Sequence, residues 1–138
     1  MADVRPPVTV SLRWDEELRF TTQTGHFTQI IDGEAQAAPS PMQALAVGLA
    51  GCMAVDVVSI LLKGRHPLRA LTATLVARRA DGQPARFVAI TLHLVVTGNV
   101  PSEAVDRAAQ LSRDKYCSVW HSMRDDIEFD ITHEVVPV

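Results

Sequence analysis

A chain of 138 residues with 47% hydrophobic and 21% charged side chains can bury one core, and is expected to form a single domain over residues 1–138. A formal net charge of -3 argues against nucleic acid as a partner, because phosphate binding calls for a basic face. The opening Met1-Ala2-Asp3-Val4-Arg5-Pro6-Pro7 lacks the apolar stretch of a secretory signal, so a cytoplasmic protein with reduced thiols is expected.

In chain order, Val8, Val10 and Leu12 alternate with Thr9, Ser11 and Arg13 and predict a strand, with Asp15-Glu16-Glu17 as its turn. Leu18 and Phe20 begin a second strand, and Phe27 to Ile31 form a third that Asp32-Gly33 closes. Pro41 then opens a helix with Ser40 as its N-cap, running from Met42 to about Leu62 with Gly64 as the stop. Ala44, Ala46, Gly48, Ala50, Gly51 and Ala54 keep parts of its surface slim. Each glycine costs about 1 kcal/mol of helix propensity, so a second backbone is expected to cross there.

Leu68 to Arg79 and Phe87 to Gly98 read as two long strands joined across Asp81-Gly82. Pro101-Ser102-Glu103 starts a second helix through Leu111, apolar at Val105, Ala108, Ala109 and Leu111. A shorter helix is expected from Lys115 to about Met123 with Asp114 as its cap. Ile127, Phe129 and Ile131 alternate with polar residues in a last strand. The order is that of an α+β domain.

The apolar run through Ala44-Leu45-Ala46-Val47-Gly48-Leu49-Ala50-Gly51-Cys52-Met53-Ala54-Val55-Asp56 invites a membrane reading. Asp56, Ser59 and Lys63 interrupt it short of the ~20 apolar residues a span requires, so a helix buried on nearly all sides is expected and no membrane partner. Asp56 is a charge inside an apolar helix, and must face solvent or find a partner.

Cys52 and Cys117 are the only cysteines. Cys52 in its apolar helix fits a small core residue, or a reactive thiol if another segment brings a cation to it. Cys117 falls in the first turn of the expected short helix, where free N–H groups and the charges of Arg113 and Lys115 would favour a thiolate. Should the fold bring the two together, they can cycle between dithiol and disulfide. Cys52 with Asp56 and Cys117 with His121 are also i,i+4 pairs able to offer four zinc ligands, but neither CxxC nor HExxH is present and no metal is expected. His93, inside a strand, reads as a structural residue. No GxSxG, phosphate loop or dinucleotide fingerprint occurs.

Two segments together resemble one family. Pro39-Ser40-Pro41-Met42-Gln43-Ala44-Leu45, continuing through Gly48-Leu49-Ala50-Gly51-Cys52-Met53-Ala54-Val55-Asp56-Val57-Val58, is similar to the cysteine helix of the OsmC/Ohr proteins, the osmotically inducible and organic hydroperoxide resistance proteins. Leu111-Ser112-Arg113-Asp114-Lys115-Tyr116-Cys117-Ser118-Val119 resembles their second cysteine motif. The likeness runs from about Val8 to Val135 and points to a short OsmC-like branch.

This resemblance implies an OsmC-like fold in an intertwined homodimer, strands of both chains wrapping two long central helices. It implies a thiol peroxidase of the oxidative stress response. Cys52 would attack an organic hydroperoxide and Cys117 would resolve the sulfenic acid as a disulfide, with no cofactor beyond an external dithiol reductant. The family's thiolate-holding arginine would come from the first hairpin, with Arg19 first and Arg13 second as candidates. The glutamate that steadies it is replaced here by Met42 and Gln43, and Gln43 would accept the guanidinium hydrogen bond without charge assistance. Lower peroxidase activity is the expectation. The alternative is a non-catalytic dimer on the same scaffold that binds an apolar ligand or senses redox state.

Overall fold

The computed structural model describes residues 5–138. The chain divides into two compact units, Met1–Leu45 and Ala46–Val138.

In the first unit β1 (Ser11–Glu16), β2 (Arg19–Thr24) and β3 (Phe27–Asp32) form an antiparallel sheet in that order. The first strand starts later than the alternation of Val8 and Val10 predicts. The turn lies at Glu17, whose φ of 50° is left-handed, and the β1–β2 register shifts between Trp14 and Glu16. Side-chain contacts set that register: Arg13 and Thr21 both donate to Asp15, and the Trp14 indole donates to the Glu17 carbonyl at 2.8 Å. Every residue of β1 is exposed, so alternation there marks no core face within this unit.

The buried Asp32 organises the loop after β3. Its carboxylate accepts backbone N–H groups from Glu34 and Ala37 at 2.9 Å and from Gln36 at 3.3 Å, and Arg19 Nε donates to it at 3.4 Å. Those bonds, the Ala37 and Glu34 amides first, hold its pKa below the ordinary carboxylate value.

Helix α1 (Pro41–Lys63) starts where the proline predicts. Ser40 and Gln43 form a reciprocal capping box: Ser40 N–H donates to Gln43 Oε1 at 2.9 Å, and Gln43 N–H donates to Ser40 Oγ at 3.1 Å. By length and composition α1 is able to cross a membrane, contrary to the expectation that its polar residues cut it too short. Its Leu49, Met53, Val57 and Leu61 recur every fourth residue and are buried, but Val47, Val55 and Leu62 are exposed, so in the single chain the helix buries one stripe and not nearly all sides as expected. Among the described residues of the single chain, a Cβ added at Gly48 or Gly51 would meet nothing within 4 Å.

The second unit contains a three-stranded sheet in the order β4 (Leu68–Arg79), β5 (Phe87–Gly98), β6 (Glu128–Val136). The first two strands have the predicted bounds and pair antiparallel. Their connection is a wider loop than a two-residue turn, closed by Ala80 N–H donating to the Arg86 carbonyl at 2.8 Å. In β5 the alternate residues Ile90, Leu92, Leu94 and Val96 are buried. The last strand is longer than its alternation suggests and runs parallel to β5. A parallel neighbour needs a long crossover, and residues 99–127 supply it. There α2 (Ser102–Leu111) buries Val105, Ala108 and Ala109, a π-helical turn spans Ser112–Tyr116, and α3 (Ser118–His121) comes next. The short helix thus begins three residues later than expected, and Cys117, not Asp114, is its cap. On the other face of the sheet His93 is satisfied by cross-strand partners, Thr132 Oγ1 at 2.7 Å and Glu134 Oε1 at 3.3 Å.

Candidate active site

Cys52 and Asp56 sit one turn apart on α1, on the same face by the i,i+4 spacing. Cys52 is half-buried, with the fully buried Leu49 and Met53 beside it in sequence. Asp56 finds the partner its position demands: Ser112 Oγ–H donates to Asp56 Oδ2 at 2.7 Å, from a serine that is itself fully buried.

Ser112 also opens the π-turn that delivers the second cysteine. Its carbonyl accepts the Cys117 N–H at 2.7 Å. Cys117 then leaves helical geometry (φ -73°, ψ 98°) and caps α3, its Sγ accepting Trp120 N–H at 3.4 Å. The aromatic edge of this corner is Trp120 against Phe129, with ring centroids 4.5 Å apart.

The fold brings the two thiols together. Both cysteines are free, and the Cys52 side chain lies near enough to Cys117 to bear on its ionisation. Burial pushes the Cys117 thiol up to about 11 from an ordinary 9.0. The Trp120 N–H opposes this, while the Cys52 thiol and the Asp56 charge add to it. The expectation of a thiolate at the start of a helix is therefore overturned. Desolvation of a fully buried sulfur outweighs one amide hydrogen bond, and the nearby cations face aromatic rings. The Arg113 guanidinium stands 5.5 Å from the Phe129 centroid and Lys115 Nζ stands 5.2 Å from that of Tyr116.

Arg19 pairs with Asp32, Glu16 and Glu17, and Arg13 with Asp15. Gln43 Oε1 accepts the Ser40 amide in the capping box. His121 donates from Nε2 to the Arg113 carbonyl at 2.9 Å, and among the described residues no three His, Cys, Asp or Glu side chains gather as metal ligands.

A family model described as OsmC-like protein matches residues 32–132, which holds both cysteines and the Asp56–Ser112 bond. The chain belongs to the OsmC family. Among its relatives, protein YhfA of Escherichia coli K12 is 38% identical over 128 residues, covering 91% of this chain and 96% of YhfA. A hypothetical protein from Aquifex aeolicus VF5 has a solved structure that superposes with a TM-score of 0.90 at 27% identity, covering 97% of this chain and 99% of that one. An organic hydroperoxide resistance protein OsmC from Legionella pneumophila shares the fold at a TM-score of 0.73 and 14% identity, over 96% of this chain and 99% of that one. The α+β architecture read from the element order is thus the OsmC-like fold.

Ser112 is the residue to which sequence reasoning gave no role. Asp56 was the available signal: an acid in an apolar helix requires a donor. Nothing local indicates that the donor stands 56 positions away.

Proposed function

We propose that this OsmC-like protein is a thiol-dependent peroxidase that reduces organic hydroperoxides. The observation that carries the reading is the proximity of two free thiols, one half-buried on α1 and one fully buried at the cap of α3, where burial raises its pKa. The Cys52 thiolate attacks the distal hydroperoxide oxygen, the O–O bond breaks, and the alkoxide takes a proton to leave as an alcohol. Cys52 is then a sulfenic acid. The Cys117 sulfur displaces its hydroxyl, the Cys117 proton leaves with that hydroxyl as water, and a Cys52–Cys117 disulfide remains. An external dithiol reduces the disulfide and returns both protons, with no other cofactor.

A protonated Cys117 suits the resolving role, since it does not compete as the first nucleophile. The hydroperoxide resistance protein from Legionella pneumophila, and the organic hydroperoxide resistance protein OhrB of Bacillus subtilis with the same fold at a TM-score of 0.61 and 14% identity, support the substrate class by their names. We further propose that the working form is a homodimer in a reducing, cytoplasmic compartment. In the first unit Leu12, Trp14, Phe27 and Ile30 are exposed, and in the second Val47, Val55 and Leu62, apolar side chains that a second copy would cover.

Reduced protein should consume cumene hydroperoxide in the presence of a dithiol, and Cys52→Ser should abolish turnover. Equal rates for the two would end the proposal. The second reading, a redox-sensing or apolar-ligand-binding dimer without turnover, is favoured by one feature: no carboxylate stands at Met42 or Gln43, and Gln43 is committed to the helix cap. It predicts stoichiometric oxidation of the thiols without catalytic consumption of peroxide.

A further inference from the structure

We propose that Asp56 and Ser112 are a positioning pair for the two cysteines, tying the turn that carries Cys117 to the helix that carries Cys52. The path is short and continuous. Cys52 is one helical turn before Asp56, Asp56 Oδ2 accepts the Ser112 hydroxyl at 2.7 Å, and the Ser112 carbonyl accepts the Cys117 amide at 2.7 Å. One residue thus holds α1 with its side chain and Cys117 with its backbone. The link joins elements that nothing local would hold in register, since a π-turn is an irregular segment whose geometry depends on its surroundings.

A hydrogen bond to a charged acceptor, made by a fully buried serine, is among the stronger single tethers a fold can use. Its chemical effect is on effective concentration. Thiol–disulfide exchange within the pair is favoured to the degree that the two sulfurs are already held in reach. The Asp56 charge has a second, supporting effect at Cys117. With the Cys52 thiol it works against ionisation there, and the Trp120 N–H works for it.

This inference rests on the reading of Cys52 and Cys117 as a redox pair, and its test leaves hydroperoxide out so that the two fail separately. Full-length wild type, Ser112→Ala, Asp56→Ala and Asp56→Asn are equilibrated in glutathione redox buffers. The Cys52–Cys117 disulfide is then quantified by alkylation and mass spectrometry, with circular dichroism to verify folding. Ser112→Ala and Asp56→Ala should lower the equilibrium constant for the internal disulfide roughly tenfold to a hundredfold. Asp56→Asn, whose amide oxygen still accepts the serine hydroxyl, should restore most of it.

A merely structural role would lower the melting temperature of these variants without this ordering of disulfide equilibria. The proposal is overturned if Asp56→Ala keeps the wild-type equilibrium, or if Asp56→Asn falls as far as Asp56→Ala. The two Asp56 variants decide the matter if Ser112→Ala does not fold. A wild type that forms the disulfide in glutathione but turns over no hydroperoxide would remove the peroxidase reading and leave the positioning pair standing.

Discussion

Raising the pH above 9 should destabilise the folded protein through Cys117, and replacing that residue should remove the effect. The unfolded chain releases the Cys117 proton near 9.0, whereas burial holds it in the fold until about 11. Below 9 both states are protonated and the group contributes no pH dependence. Between the two values the folded state binds more protons than the unfolded one, so stability falls as pH rises. Above the upper value the loss is complete. Two pH units at about 1.4 kcal/mol each set the full loss at about 3 kcal/mol.

Urea unfolding followed by circular dichroism, under a phosphine reductant from pH ~8 to ~11, reads it as the difference between wild type and Cys117→Ser. Taking the difference isolates position 117, and serine still offers an oxygen to the Trp120 amide. The expected difference is level near pH 8 and declines through the window. A difference that stays level to pH 11 would refute the claim that desolvation governs this thiol.

Two more outcomes are set by the backbone and the buried acid. Gly98 has φ 138°, and a Cβ there would overlap the Pro67 carbonyl oxygen and lie 3.3 Å from the Arg69 nitrogen, so Gly98→Ala should cost at least about 2 kcal/mol. An unchanged melting temperature would contradict that. Asp32, its pKa depressed by the Ala37, Glu34 and Gln36 amides, contributes stability above the ordinary carboxylate value of 3.8 that is lost as pH falls through its lower folded value. Asp32→Asn should therefore flatten the acid limb of a thermal stability profile, and an acid limb identical to wild type would count against the loop-anchoring role.

The sequence by itself determined the elements whose signals are local. Alternation fixed β4 and β5 to the residue, and Ser40 and Pro41 announced the start of α1, because a cap and a strand face are decided by neighbours a few positions apart. The two cysteine motifs in order named the family and the candidate site. Tertiary structure alone decided that β6 lies parallel to β5, that Cys117 caps a four-residue helix after a π-turn, and that burial raises the pKa of its thiol. It also decided that Ser112 answers Asp56. Each of these turns on burial or on contacts between segments far apart in the chain, and chain distance carries no local signal of either. An acid among apolar residues says that a donor must exist, while only the packed core says which one.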